Sequence, residues 1–153
     1  MNLDHMLVSE NDLPARRIID WHEAVREFNS AAEVEMASTP TLQDARTREL
    51  RLDLLEEETW ELYRATGGTD QQNLGDMPEI ADALADIIYI AIGTAQVYGI
   101  DLRPVFAEVH AANMRKRGTD GKMVRRADGK ILKPEGWVGP DIAGVLRKQG
   151  WRG

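Results

Sequence analysis

The run Glu56-Glu57-Glu58-Thr59-Trp60-Glu61 sets four carboxylates within six residues. At about 100° per residue on a helix, Glu57, Glu58 and Glu61 share an arc of about 100° beside Leu55 and Leu62, while Glu56 points away into solvent. Like charges three and four residues apart repel, more so when partly desolvated, so the arc requires a cation against it. A second set of acids, Glu79, Asp82 and Asp86, interrupts an otherwise apolar stretch at helical spacing and draws one stripe. Gly93 continues that stripe two turns on, where a missing side chain admits a neighbouring backbone or a ligand. Two such stripes on packed helices make an all-oxygen site suited to Mg²⁺ or Mn²⁺. An EExxE string alone also describes an acidic face that is solvated or paired with Arg and Lys. The second stripe is what favours the metal.

The basic residues are segregated from these acids. Between 115 and 133 stand Arg115, Lys116, Arg117, Lys122, Arg125, Arg126, Lys130 and Lys133 against Asp120 and Asp128, a net +6 in a chain whose total is -7. Carboxylates that hold cations, combined with Lys and Arg that reach phosphate oxygens, are what a metal-bound polyphosphate needs. No aromatic residue is interleaved in this segment, so stacking on single-stranded nucleic acid is not indicated.

Other chemistries are excluded by composition. With no Cys, there is no disulfide framework, thiolate metal site or cysteine nucleophile. None of His5, His22 and His110 follows a Glu by three, as a di-iron bundle requires, and no His-Asp dipeptide occurs for a histidine–aspartate phosphohydrolase. The acidic balance argues against a surface that binds nucleic acid or anionic lipid. The N-terminal stretch lacks a basic and an apolar targeting region, and no run approaches the roughly 18 apolar residues of a spanning helix. The longest, Ile87 to Ala95, reads as a buried helix of a cytoplasmic protein.

The elements that must position these residues are helical. Ile18, Trp21, Val25 and Phe28 mark a first helix after Pro14, ending near Ala32. Ser38-Thr39-Pro40 announces a second that runs along the stripe Leu52, Leu55, Thr59 and Leu62 to Gly67-Gly68. Asp76 and Pro78 open a third, ended by Gly99, and its apolar girth calls for an oligomer. Asp101 and Pro104 open a fourth that ends at Arg117-Gly118. Asp120-Gly121 and Asp128-Gly129 then predict an irregular basic hairpin or loop, before a short last helix over 141–148. The expectation is one all-α domain over 1–153, an antiparallel four- to five-helix bundle.

Leu54-Leu55-Glu56-Glu57-Glu58-Thr59-Trp60-Glu61-Leu62, Asp82-Ala83-Leu84-Ala85-Asp86-Ile87-Ile88-Tyr89 and the stretch from Val105 to Lys116 together resemble the MazG-like branch of the all-α nucleoside triphosphate pyrophosphohydrolases, in its DALAD-type form. The tail from Arg126 to Trp137 resembles that branch too, and the likeness covers about residues 16 to 145. The resemblance implies a dimer or dimer of dimers that hydrolyses an NTP or dNTP to the monophosphate and pyrophosphate with two or three Mg²⁺ or Mn²⁺ ions, in nucleotide-pool control. The EExxE pattern falls on Glu57, Glu58 and Glu61 as metal ligands, with Glu58 and Glu57 catalytic, and the last Asp of ExxD falls on Asp86. The Glu of ExxD would stand where Ala83 is, and Asp82 is the best substitute, with Glu79 behind it. Asn113 and Lys116 match the substrate contacts, and Lys122, Arg126, Lys130 and Lys133 extend them. Trp21 and His22 are candidates to stack on and hydrogen-bond a base, with dGTP/GTP or dUTP the leading substrates. The competing readings are a regulatory nucleotide-binding bundle that has lost catalysis through Ala83, and a non-catalytic structural interaction module.

Overall fold

The computed structural model describes residues 19–70 and 72–153. Five helices and no strand occur among them: α1 (Trp21–Ala31), α2 (Ala45–Ala65), α3 (Met77–Val97), α4 (Leu102–Met114) and α5 (Ile142–Lys148). Each opens on an aspartate, at 20, 44, 76, 101 and 141, whose carboxylate accepts backbone N–H groups that the first turn leaves unpaired.

α2 and α3 form the main helix pair, α1 packs on α3, and α4 packs on α5 while touching no other helix over more than a residue or two. Side-chain amides fix α1 on α3: Asn29 Nδ2 donates to Gln96 Oε1 at 3.0 Å, and Gln96 Nε2 donates to the His22 carbonyl at 2.8 Å, all buried. Gly93 serves this contact. A Cβ there would meet Asn29 and Val25 at ordinary van der Waals distance, so the position packs against α1.

Three expectations are corrected. The start of the first helix after Pro14 lies outside the described residues, which place the cap at Asp20. The second helix begins at Ala45 and not at Ser38-Thr39-Pro40, because residues 37–41 are used to close the far end of α3: Ala37 N donates to Val97 O and Thr41 N to Tyr98 O. The face of α2 is also rotated. Its shielded side runs through Arg51, Leu54, Glu58 and Ala65, whereas Leu52 is 67% and Trp60 52% exposed. Leu52, Leu55, Thr59, Trp60 and Tyr63 instead border an open apolar groove with Glu56. By length and composition α3 is apolar enough to cross a membrane, which a search for unbroken apolar runs misses because Asp82 and Asp86 interrupt it. In this fold it packs between α1 and α2.

Gly99 has φ +70°, and a Cβ on it would run into the Thr39 carbonyl well inside van der Waals contact. Gly99→Ala is therefore expected to cost about 2 kcal/mol or more, through left-handed strain and loss of the 37–41 closure. Chemical denaturation followed by circular dichroism checks this, and a loss under about 0.5 kcal/mol, the level of an ordinary surface change, would contradict it.

Candidate active site

The seam between α2 and α3 brings the two acidic stripes together. Glu58 sits on the shielded side of α2 and its Oε2 is closed off from solvent with no hydrogen-bond partner among the described residues. Its pKa is pushed up, first by desolvation and then by the negative charges of Asp86, Glu61, Glu57 and Asp82, in that order. Four carboxylates on two helices thus act on Glu58. Arg64 reaches Glu61 at 3.6 Å, and no ion pair reaches Glu57, Glu58, Asp82 or Asp86 among the described residues. The compensating cation expected from the sequence is not supplied by a described side chain.

A cleft of about 310 Å³ lies at this seam, lined by Glu61, Arg64, Ala65, Glu79, Asp82 and Ala83. Ala83, itself buried, lines this cleft together with Asp82 and Glu79. All donors here are oxygen, and an orphaned carboxylate oxygen among neighbouring carboxylates fits a hard divalent cation. No three His, Asp or Glu side chains are arranged around one point among the described residues, so the fit rests on donor chemistry and charge.

Trp21 is 61% exposed and, with Ala24, Val25, Ala85, Ile88, Tyr89 and Ile92, lines a groove of about 340 Å³ between α1 and α3. Ala85 lines this groove and also the surface pocket that carries Glu79 and Asp82. His22 is buried and does not line it. Adjacent positions on a helix diverge by about 100°, which separates the two residues that the sequence put together.

The basic segment lies beyond α4. Two isolated antiparallel bridges, Arg117 with Met123 and Arg125 with Ile131, fold it back on itself. Arg126 is held by the Asp128 carboxylate, a hydrogen bond that raises the pKa of Arg126 and lowers that of Asp128. Lys116 Nζ donates to Asn113 Oδ1 at 2.7 Å. The backbone N–H groups of Lys122 and Lys130 donate to Asp120 and Asp128, which shapes the two turns. Lys133 stands over the ring of Trp137, its ammonium 4.4 Å from the centroid. No side chain of this segment is paired with the α2–α3 carboxylates, because α4 has so little contact with α2 and α3.

Trp137 is the residue that reading by charge overlooked. Its Nε1 donates to the Ala112 carbonyl at 2.8 Å and ties the tail to the end of α4. The available signal was a lone indole after Lys133-Pro134, at the edge of a segment otherwise free of aromatics.

Two packed helices thus carry facing acids with an unpaired carboxylate between them, a donor set suited to a hard cation. Residues 25–113, more than half of the chain, match the phosphoribosyl-ATP pyrophosphohydrolase family, and the chain belongs to that family of all-helical pyrophosphohydrolases, which is related to the MazG-like superfamily. A stretch of 60 residues is also 42% identical to the uncharacterized protein L479 of Acanthamoeba polyphaga mimivirus, covering 39% of this chain and 22% of that protein. The chain therefore spans only about a fifth of that relative's length.

Proposed function

We propose that the chain hydrolyses the bond between the α- and β-phosphates of a nucleoside or deoxynucleoside triphosphate, releasing the monophosphate and pyrophosphate, with dGTP/GTP or dUTP as leading substrates. The observation that carries this reading is the Glu58 oxygen, buried and unpartnered among Asp86, Glu61, Glu57 and Asp82. Two or three Mg²⁺ or Mn²⁺ ions held by Glu57, Glu58, Glu61 and Asp86, with Asp82 in place of the acid missing at Ala83, would activate water and offset charge on the leaving pyrophosphate. Glu58, whose pKa is raised by desolvation and by the neighbouring carboxylates, takes the proton of the attacking water, with Glu57 beside it. The groove at Trp21 receives the base, and Ala85, which it shares with the pocket of Glu79 and Asp82, sets the phosphates beside that acidic surface. Asn113, Lys116, Lys122, Lys130 and Lys133 bind phosphate oxygens, joined by Arg126 when it exchanges Asp128 for substrate.

Because α4 stands apart from α2 and α3, a homodimer or homotetramer brings a basic segment to each carboxylate seam. The enzyme works in nucleotide-pool control in the cytoplasm, without a nucleic-acid or membrane partner.

Phosphoribosyl-ATP is the second substrate to consider, favoured by the family match and cleaved at the same type of anhydride. Pyrophosphate release should be measured with Mg²⁺ or Mn²⁺ over the common NTPs, dNTPs and phosphoribosyl-ATP. Turnover of one or a few triphosphates at least about tenfold above phosphoribosyl-ATP is the expected result. A preference for phosphoribosyl-ATP would select the second reading, and release from none would overturn both in favour of a binding or interaction bundle.

A further inference from the structure

Resting on the reading above, we propose that Trp137 is a positioning residue that gathers Lys116 and Lys133 into a two-ammonium grip for the pyrophosphate end of the substrate. The cations around it divide into two kinds. Arg115 is spent on Glu108 Oε1 at 3.3 Å and on the carbonyls of Val138 and Gly139, and Arg126 on Asp128. Lys116 and Lys133 make no ion pair among the described residues, yet both stand over one indole, 5.5 and 4.4 Å from its centroid.

Each ammonium lies within cation–π range of the same ring. The face of the indole attracts each of them, most strongly of the aromatic side chains, and offsets part of their repulsion. Asn113 Oδ1 orients Lys116 from the other side. The ring is itself fixed. Its N–H occupies the Ala112 carbonyl, and Glu108 Oε1 also accepts from Asp141 N at 3.2 Å, so Arg115, Glu108 and the residues that follow Trp137 form a clasp on α4. Residues 117–132 are thus a loop whose two ends, at Lys116 and Lys133, are set by one side chain. What remains after pairing is a concentrated positive potential with no anion, which suits a polyphosphate better than a single carboxylate.

The test uses the full chain and inorganic pyrophosphate without metal. The Trp137 indole N–H resonance, assigned by its loss in Trp137→Phe, should shift saturably with pyrophosphate, and Lys133→Gln should weaken that binding about tenfold. In steady-state assays with the preferred nucleotide, Trp137→Phe, which keeps a ring but loses the N–H, should raise KM only about threefold, whereas Trp137→Leu should raise it about tenfold, with kcat unchanged in both. Equal effects of Phe and Leu would show that the ring face has no part, and an unchanged KM in both would remove the role altogether. A resonance indifferent to pyrophosphate, in an enzyme that hydrolyses nucleotides normally, overturns the grip and leaves the proposed reaction standing. Lys133-dependent pyrophosphate binding in a chain that hydrolyses nothing does the reverse.

Discussion

Glu58→Gln is expected to lose at least about a hundredfold in turnover while the protein, free of metal, becomes more resistant to heat. Both effects have one origin. The Glu58 carboxylate is ionised against desolvation and against Asp86, Glu61, Glu57 and Asp82, so the folded chain holds that proton more tightly than the unfolded chain does. With the folded pKa above the ordinary 4.5, the contribution of this group is harmless below 4.5 and becomes a penalty as pH rises through the raised value. The neutral amide removes the penalty above that window and removes the proton acceptor with it. Asp86→Asn should relieve the same repulsion and lose activity to a similar degree, while Glu56→Gln, on the outward groove of α2, should leave turnover nearly unchanged. Turnover and thermal melting from pH 4 to 8, with and without Mg²⁺, read all of this. Near-wild-type rates in both Glu58→Gln and Asp86→Asn would remove these residues from the chemistry.

The second large expectation is an assembly of at least two chains. Among the described residues, the buried apolar side chains are Val25, Ala65, Ala83, Ile92, Ala95, Val97 and Ala112, most of them small. Trp21, Phe28, Leu52, Trp60, Met77, Leu84, Ile88 and Phe106 remain open to solvent on the first four helices. At about 25 cal/mol per Å² of apolar surface, leaving such faces wet forgoes several kcal/mol that a second copy would recover. Light scattering at micromolar concentration should report 34 kDa or a higher multiple of the 17.2 kDa chain, the former being about twice the chain mass. Leu52→Glu, in the open apolar groove of α2, should break the assembly, with activity falling in parallel. A stable, active monomer of wild type would overturn this expectation.

The meeting of the two acidic stripes was legible because helical periodicity converts spacing into direction with little help from context. Glu57, Glu58, Glu61, Asp82 and Asp86 could be assigned to facing stripes from number alone, and the structure sets their charges against Glu58. The rotation of α2 was not legible. Its apolar residues mark two faces, one towards α3 and one towards open surface, and composition cannot say which belongs to the chain's own core. The false start at Ser38-Thr39-Pro40 has a similar cause: the cap signal there is real in kind, but Asp44 offers a carboxylate to Thr47 N at 2.7 Å, and the tertiary bonds of residues 37–41 to the end of α3 outweigh local preference. Trp137 escaped because its partners, Ala112 and Lys116, lie some twenty residues away and only the fold brings them together.

The weak contact of α4 and α5 with the rest of the chain bears on how such enzymes diverge. The family match covers residues 25–113, to within the last turn of α4, whereas Lys116, Lys133 and Trp137 come after it. A segment anchored chiefly to α4 and α5 can be rewritten by mutation without demanding compensating changes in α2 and α3. Natural variants should therefore accumulate insertions and altered charge between 115 and 137 while the acidic seam stays constant, so that one hydrolytic centre is inherited with many different arms.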